Sequence, residues 1–81
     1  MTLTLSQQEA LDLLRLHNHW TRRGTWWWSP NARMPISDTI MGVFKRHGIC
    51  EVTVISTADD GEHTSVRVTK KGETLWGKIA A

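Results

Sequence analysis

Near the N-terminus, Ala10, Leu13, Leu14 and His17 recur at helical spacing. Leu11, Leu16 and Trp20 widen that stripe, and Glu9, Asp12 and Arg15 fall on the polar side. Ser6-Gln7-Gln8-Glu9 has the form of a capping box, in which the Ser6 hydroxyl accepts from the Glu9 amide and the Glu9 carboxylate reaches back to the Ser6 amide. The pattern predicts a helix from about residue 7 to about 19, ending before Gly24.

The periodicity then breaks. Gly24, Pro30, Asn31 and Pro35 punctuate the next stretch, and Trp26-Trp27-Trp28 lies between them. Consecutive aromatics suit an extended segment, with Trp26 and Trp28 on one face and Trp27 on the other. Two roles are open: a short strand closing a sheet edge with Trp as core filler, or a contact platform presented by Trp27. Helical spacing returns at Ile36, where Ser37 is a good N-cap, Asp38 suits the positive helix end and Ile36 can staple onto Met41. Ile40, Val43, Phe44 and His47 define the buried side of this 38–47 helix, and Asp38, Gly42, Lys45 and Arg46 the opposite one. Gly48 is its natural stop.

Alternation takes over at once. Cys50, Val52, Val54 and Ser56 share one face of a strand and Glu51, Thr53 and Ile55 the other. The turn falls within 57–62, with Asp60-Gly61 as the hairpin signal. A return strand runs from His63 to Thr69, with Val66 and Val68 on one face and Arg67 pointing away. Thr69 then caps a short closing helix whose contacts come from Leu75, Trp76 and Ile79, and Gly72 weakens its start.

Eighty-one residues predict one domain with a thin core. Five Trp supply area that so small a core otherwise lacks. The single cysteine, Cys50, excludes an internal disulfide and fits a reducing compartment. No apolar run approaches the ~18 residues of a membrane span, and the N-terminus lacks the basic and apolar regions of a signal peptide. The expected location is the cytoplasm, without membrane contact. Net charge is +2, but Asp59, Asp60 and Glu62 sit together in one turn, so ten Lys and Arg elsewhere face five acidic residues. That distribution suits either a solvated surface or one that meets phosphates.

Catalytic and metal signals are weak. His17 and His19 are two apart and do not face each other on a helix. His47 and Cys50 have no second pair at zinc-site spacing. Cys50 alternates with valines as a small hydrophobe, Asp59 and Asp60 are turn formers, and no phosphate loop or nucleophile motif occurs. The expectation is no enzyme, no metal and no cofactor.

Two stretches carry a family resemblance. In Ile36 to Glu51 a capped helix ends in the basic pair Lys45-Arg46, followed by His47, Gly48, an apolar residue and a strand. In Val66 to Trp76 a second strand runs into the Thr-x-x-Gly start of a closing helix. With the hairpin between them these cover about half the chain, and their order resembles a winged helix-turn-helix domain. The resemblance implies an abbreviated α+β winged-helix-like domain: two main helices, a three-stranded antiparallel sheet with a β-hairpin wing, and a short C-terminal helix. It departs from the family upstream, where a Trp-rich extended segment takes the place of the helix before the recognition helix. The acidic tip at Asp59, Asp60 and Glu62 is a second departure, unsuited to gripping phosphates.

The function implied is that of a small protein binding double-stranded DNA, a transcriptional regulator or a phage or mobile-element accessory factor. Helix 38–47 would enter the major groove. Thr39 could touch a thymine methyl or a phosphate, Gly42 permits close approach, and Lys45 and Arg46 address phosphates or guanine edges. Arg22, Arg23 and Arg33 flank the Trp segment as backbone clamps, and Lys70 and Lys71 are further phosphate ligands. A homodimer would enlarge the limited footprint of one module. The alternative is a protein-interaction module using the Trp26–Trp28 segment, above all Trp27, together with the hairpin surface.

Overall fold

The computed structural model describes residues 2–80. Its elements are α1 (Leu5–Leu16), β1 (His19–Arg23), β2 (Trp26–Trp28), β3 (Ile36–Ser37), α2 (Asp38–Arg46), β4 (Cys50–Ala58), β5 (Gly61–Val68) and α3 (Lys70–Ala80). The five strands form one open sheet in the order β3-β2-β1-β5-β4, with every neighbouring pair antiparallel. The result is a small α+β domain of three helices and five strands, where three strands were expected. The two additional strands have local causes. β3 is two residues long and exists through its pairing with β2, Trp26 opposite Ser37 and Trp27 opposite Ile36. β1 begins where the first helix was expected to end, at about residue 19, and runs into a stretch expected to be irregular; it becomes the central strand instead.

Where α1 ends is decided by Trp20. Its indole N–H donates to the His17 carbonyl at 2.8 Å, and His17 is already extended. His19 pairs with Ser65 and Trp20 with Thr64, so long-range ladder bonds replace the last expected helical turn. The N-terminus also shifts. Thr4, rather than Ser6, is the N-cap: its hydroxyl accepts from the Gln7 amide at 3.2 Å, and the Gln7 side chain accepts from the Thr4 amide at 3.0 Å. Thr4-x-x-Gln7 satisfies the same capping rule two residues earlier, with Leu3 buried just outside it.

One face of the sheet carries the core. Trp20, Trp27, Ile36, Cys50, Thr64 and Val66 are buried there, with Leu11, Leu13 and Leu14 of α1 and Met41 and Phe44 of α2. Thr64 is the buried polar residue, and its hydroxyl donates to the Trp20 carbonyl at 2.7 Å. The helical layer packs through α1 on β5 and α3, α2 on β3 and β4, and α3 on β5. His47, expected on the buried side of α2, is exposed, as is Leu16. The burial stripe of α2 narrows to Met41 and Phe44, with Ile40 and Val43 half-buried at its edges.

Two glycines are imposed by close approach. Gly61 has φ +127°, and a Cβ there would strike the Arg22 carbonyl of the neighbouring strand. Gly72, read from sequence as a weak start to α3, is buried where that helix crosses the Ile49 backbone, and a Cβ would meet the Ile49 carbonyl and Val68. Thr69 fastens the same junction. Its hydroxyl donates to the Gly48 carbonyl at 2.6 Å and accepts from the Gly72 amide at 3.2 Å.

Candidate nucleic-acid interface

α2 starts at a shared acceptor. The Asp38 carboxylate accepts from the Trp27 indole N–H at 2.9 Å and pairs with Arg22 at 3.3 Å, while its backbone N–H donates to the Thr25 carbonyl at 2.8 Å. The Ser37 hydroxyl caps the helix by accepting from the Ile40 amide. Asp38 thus joins the β1–β2 hairpin to the first turn of α2 and adds a negative charge at the positive helix end. Its own charge is spent on Arg22 and the indole.

Trp27 lies under this junction at 1% exposure. It faces Ile36 and Arg22 across the ladder and is overlain by the Lys45 ammonium at 5.9 Å from the ring centroid. It therefore presents no contact platform: burying an indole against α2 removes its ring from water and uses its only donor internally. The exposed members of the run are Trp26, at 46%, and Trp28, at 41%, as strand alternation requires once Trp27 points inward.

Along the solvent side of α2, Thr39, Lys45 and Arg46 are exposed, and nothing lies within 4 Å of a Cβ built on Gly42. At the C-terminal end of α2, Lys71 of α3 donates to the His47 carbonyl at 2.7 Å, which brings the exposed Lys70–Lys71 pair beside Lys45 and Arg46. A cation at this place also complements the negative end of the helix. Among the described residues no ion pair engages Lys45, Arg46, Lys70 or Lys71, whereas Arg15, Arg22, Arg33 and Arg67 each pair with a carboxylate.

Seven of the nine sequence-predicted DNA contacts gather around α2: Arg22 at its start, Thr39, Gly42, Lys45 and Arg46 along it, and Lys71, with Lys70 next to it in the chain, at its C-terminal end. Two do not join them. Arg33 reaches Asp12 of α1, at 3.9 Å. Arg23 points to the other sheet face and stands over the Trp28 ring at 5.7 Å. Cys50 lies near this surface and is buried. Burial pushes its thiol up to about 11, with Lys45 opposing and Glu51 assisting that rise, so it is held as a neutral thiol.

Sequence reasoning missed the double duty of Asp38, which appears only when β2 is laid beside α2. It also missed a cluster on the outer sheet face, where His63 bridges Asp60 and Thr21 beside His19. Among the described residues no group of three or more His, Cys, Asp or Glu is arranged to hold a metal ion, and no helix is long and apolar enough to cross a membrane. Neither the family models, the curated proteins nor the solved structures include a match to this chain, so the reading of the site rests on its own geometry.

Proposed function

We propose that this protein binds double-stranded DNA by laying the solvent face of α2 in the major groove, as a small transcriptional regulator or mobile-element accessory factor. The observation that carries the reading is the group of cations where α2 ends and α3 begins, Lys45, Arg46, Lys70 and Lys71, none of which has a carboxylate partner among the described residues. The carboxylate on that face, Asp38, is engaged by Arg22 and Trp27, so little opposes an approaching phosphate. Thr39 and the open surface over Gly42 leave room for base edges at the N-terminal half of the helix. Nine residues of helix span about 13 Å, enough to lie within a major groove ~12 Å wide.

The order α2, β4, β5, α3 agrees with the recognition helix, wing and closing helix of the winged helix-turn-helix family. The element before α2 is a strand rather than a helix. On this reading the β1–β2 hairpin, through Arg22, takes over the bracing of the helix against the backbone. The hairpin tip, with Asp59, Asp60 and Glu62, stays clear of the duplex phosphates. One module of this size covers a limited stretch of duplex, which favours two copies on repeated half-sites.

The test is fluorescence anisotropy of a labelled random-sequence duplex across a salt series. Engagement of three to four phosphates gives a log K against log salt slope of roughly −3 to −4. Substituting Lys45→Gln together with Arg46→Gln keeps the aliphatic cover over Trp27. It should weaken binding about tenfold or more and flatten the slope by about 2. A duplex that is not bound even at low salt, or a slope unmoved by the double substitution, overturns the proposal.

A further inference from the structure

The sheet has a second, uncovered face. Strand register places His19, Thr21 and Arg23 of β1 beside Trp28 of β2 and His63 and Ser65 of β5, and none of them is buried. All three helices pack on the opposite side, where Trp27 points, so this face looks away from α2. Between Trp28, Pro30, His19 and His63 it folds into a cleft of about 390 Å³, within the size range of small-ligand sites.

Its walls combine two chemistries. Trp28 sits at the end of β2, paired with Thr21 of β1 but beyond the reach of β3; it leaves 41% of its surface in solvent, and the Arg23 guanidinium stands over its ring at 5.7 Å. Opposite, the imidazoles of His19 and His63 lie 5.6 Å apart. His63 is held in place from both ring nitrogens: Nε2 donates to Asp60 at 2.9 Å, and Nδ1 meets the Thr21 hydroxyl at 3.2 Å. An ionised carboxylate only accepts, so the proton sits on Nε2, and in the neutral ring Nδ1 accepts from Thr21. The one carboxylate of the cleft, Asp60, is hydrogen-bonded to His63, and Arg23 acts on it only at longer range, helping to hold its pKa down; among the described residues no ion pair engages Arg23.

A partly exposed indole beside a guanidinium that has no ion pair, with the His19 imidazole at hand, suits a flat base joined to a phosphate. An apolar peptide would leave the Arg23 guanidinium and the His19 imidazole without polar partners. An acidic peptide would use the cations but leave the indole idle. We infer that this cleft binds an unpaired nucleotide of single-stranded DNA, with the base stacked on Trp28 and the phosphate held by Arg23 and His19. The site is independent of the duplex-binding proposal for α2, since it lies on the other side of the sheet.

The experiment titrates the full chain into labelled (dT)12 at low salt, with an abasic oligomer of equal length as the phosphate-only arm. Trp28→Leu keeps apolar bulk without the π-face, and Arg23→Gln tests the cation at an exposed position, so one variant remains informative should the other unfold. We expect (dT)12 to bind at least tenfold tighter than the abasic oligomer, and each substitution to weaken (dT)12 about tenfold. Duplex affinity and the thermal midpoint should stay unchanged. The inference is overturned if (dT)12 does not bind, or if it binds no better than the abasic oligomer. It is equally overturned if binding survives both Trp28→Leu and Arg23→Gln; its loss in the Lys45→Gln, Arg46→Gln protein would then place the single strand on α2.

Discussion

Replacing Asp38 by Ala should separate the hydrogen bond of this side chain from its charge. The carboxylate satisfies the N–H of Trp27, a ring left at 1% exposure, and without it that donor has no protein partner. An unsatisfied buried donor costs about 1–3 kcal/mol. Asp38 itself is partly solvated, so water can enter and the lower half of that range applies. Loss of a negative charge from the first turn of α2 adds about 0.3–1 kcal/mol. The Arg22 ion pair, with side chains 44% and 37% exposed, adds close to nothing after solvent screening. The sum is about 1–3 kcal/mol, a large share of the roughly 4–12 kcal/mol that a chain of this length possesses. In thermal unfolding followed by circular dichroism this lowers the midpoint by about 5–20 °C. Asp38→Asn keeps an acceptor for the indole and should cost only about 0.5–1 kcal/mol. In a Trp27→Phe background, which has no donor to orphan, the Asp38→Ala penalty should shrink by about 1–2 kcal/mol. If Asn is as costly as Ala, or if the penalty does not depend on Trp27, the hydrogen bond is not what ties α2 to the hairpin.

Two further predictions concern the same core. Gly72→Ala forces a Cβ against the Ile49 carbonyl and Val68 and should destabilise by about 1–3 kcal/mol despite the better helix propensity of Ala, whereas Gly77→Ala in the same helix, with nothing within 4 Å, should gain up to about 1 kcal/mol; urea midpoints of the two variants check the opposite signs. The Cys50 thiol, raised from 9.0 to about 11 by burial, keeps its proton in the folded state after the unfolded chain has lost it. Stability is therefore unaffected below pH 9 and falls by about 2–3 kcal/mol as pH rises from 9 to 11. Cys50→Ala should remove that part of the pH dependence. Alkylation at pH 8 should proceed only in denaturant, and a fast reaction of the native protein would contradict the burial argument.

Much of this protein is local and therefore legible. The capped α2, the Gly48 stop, the β4–β5 hairpin and the Thr69 start of α3 follow from side chains that act within a few residues: hydroxyl caps, a glycine free to take positive φ, and period-2 alternation. The grouping of Thr39, Gly42, Lys45 and Arg46 on one surface follows from helical period alone. Other features depend on partners distant in sequence. β1 is a strand because Asn18, Trp20 and their neighbours meet β5 more than 40 residues later, and Val66 N–H donates to the Asn18 carbonyl at 2.7 Å. The capping rule fits both Thr4 and Ser6, and only the seating of Leu3 in the core separates them.

The Trp triplet marks the limit most clearly. Alternation says that Trp27 opposes Trp26 and Trp28, but not which side is wet. That was decided when α2 came down on the Trp27 side, with Asp38 taking the indole proton and Lys45 closing over the ring. The same event left Trp28, Arg23 and the His19–His63 pair on an uncovered face. Period and capping act over a few residues and are written in the chain, whereas the choice of buried face belongs to the packing of whole elements.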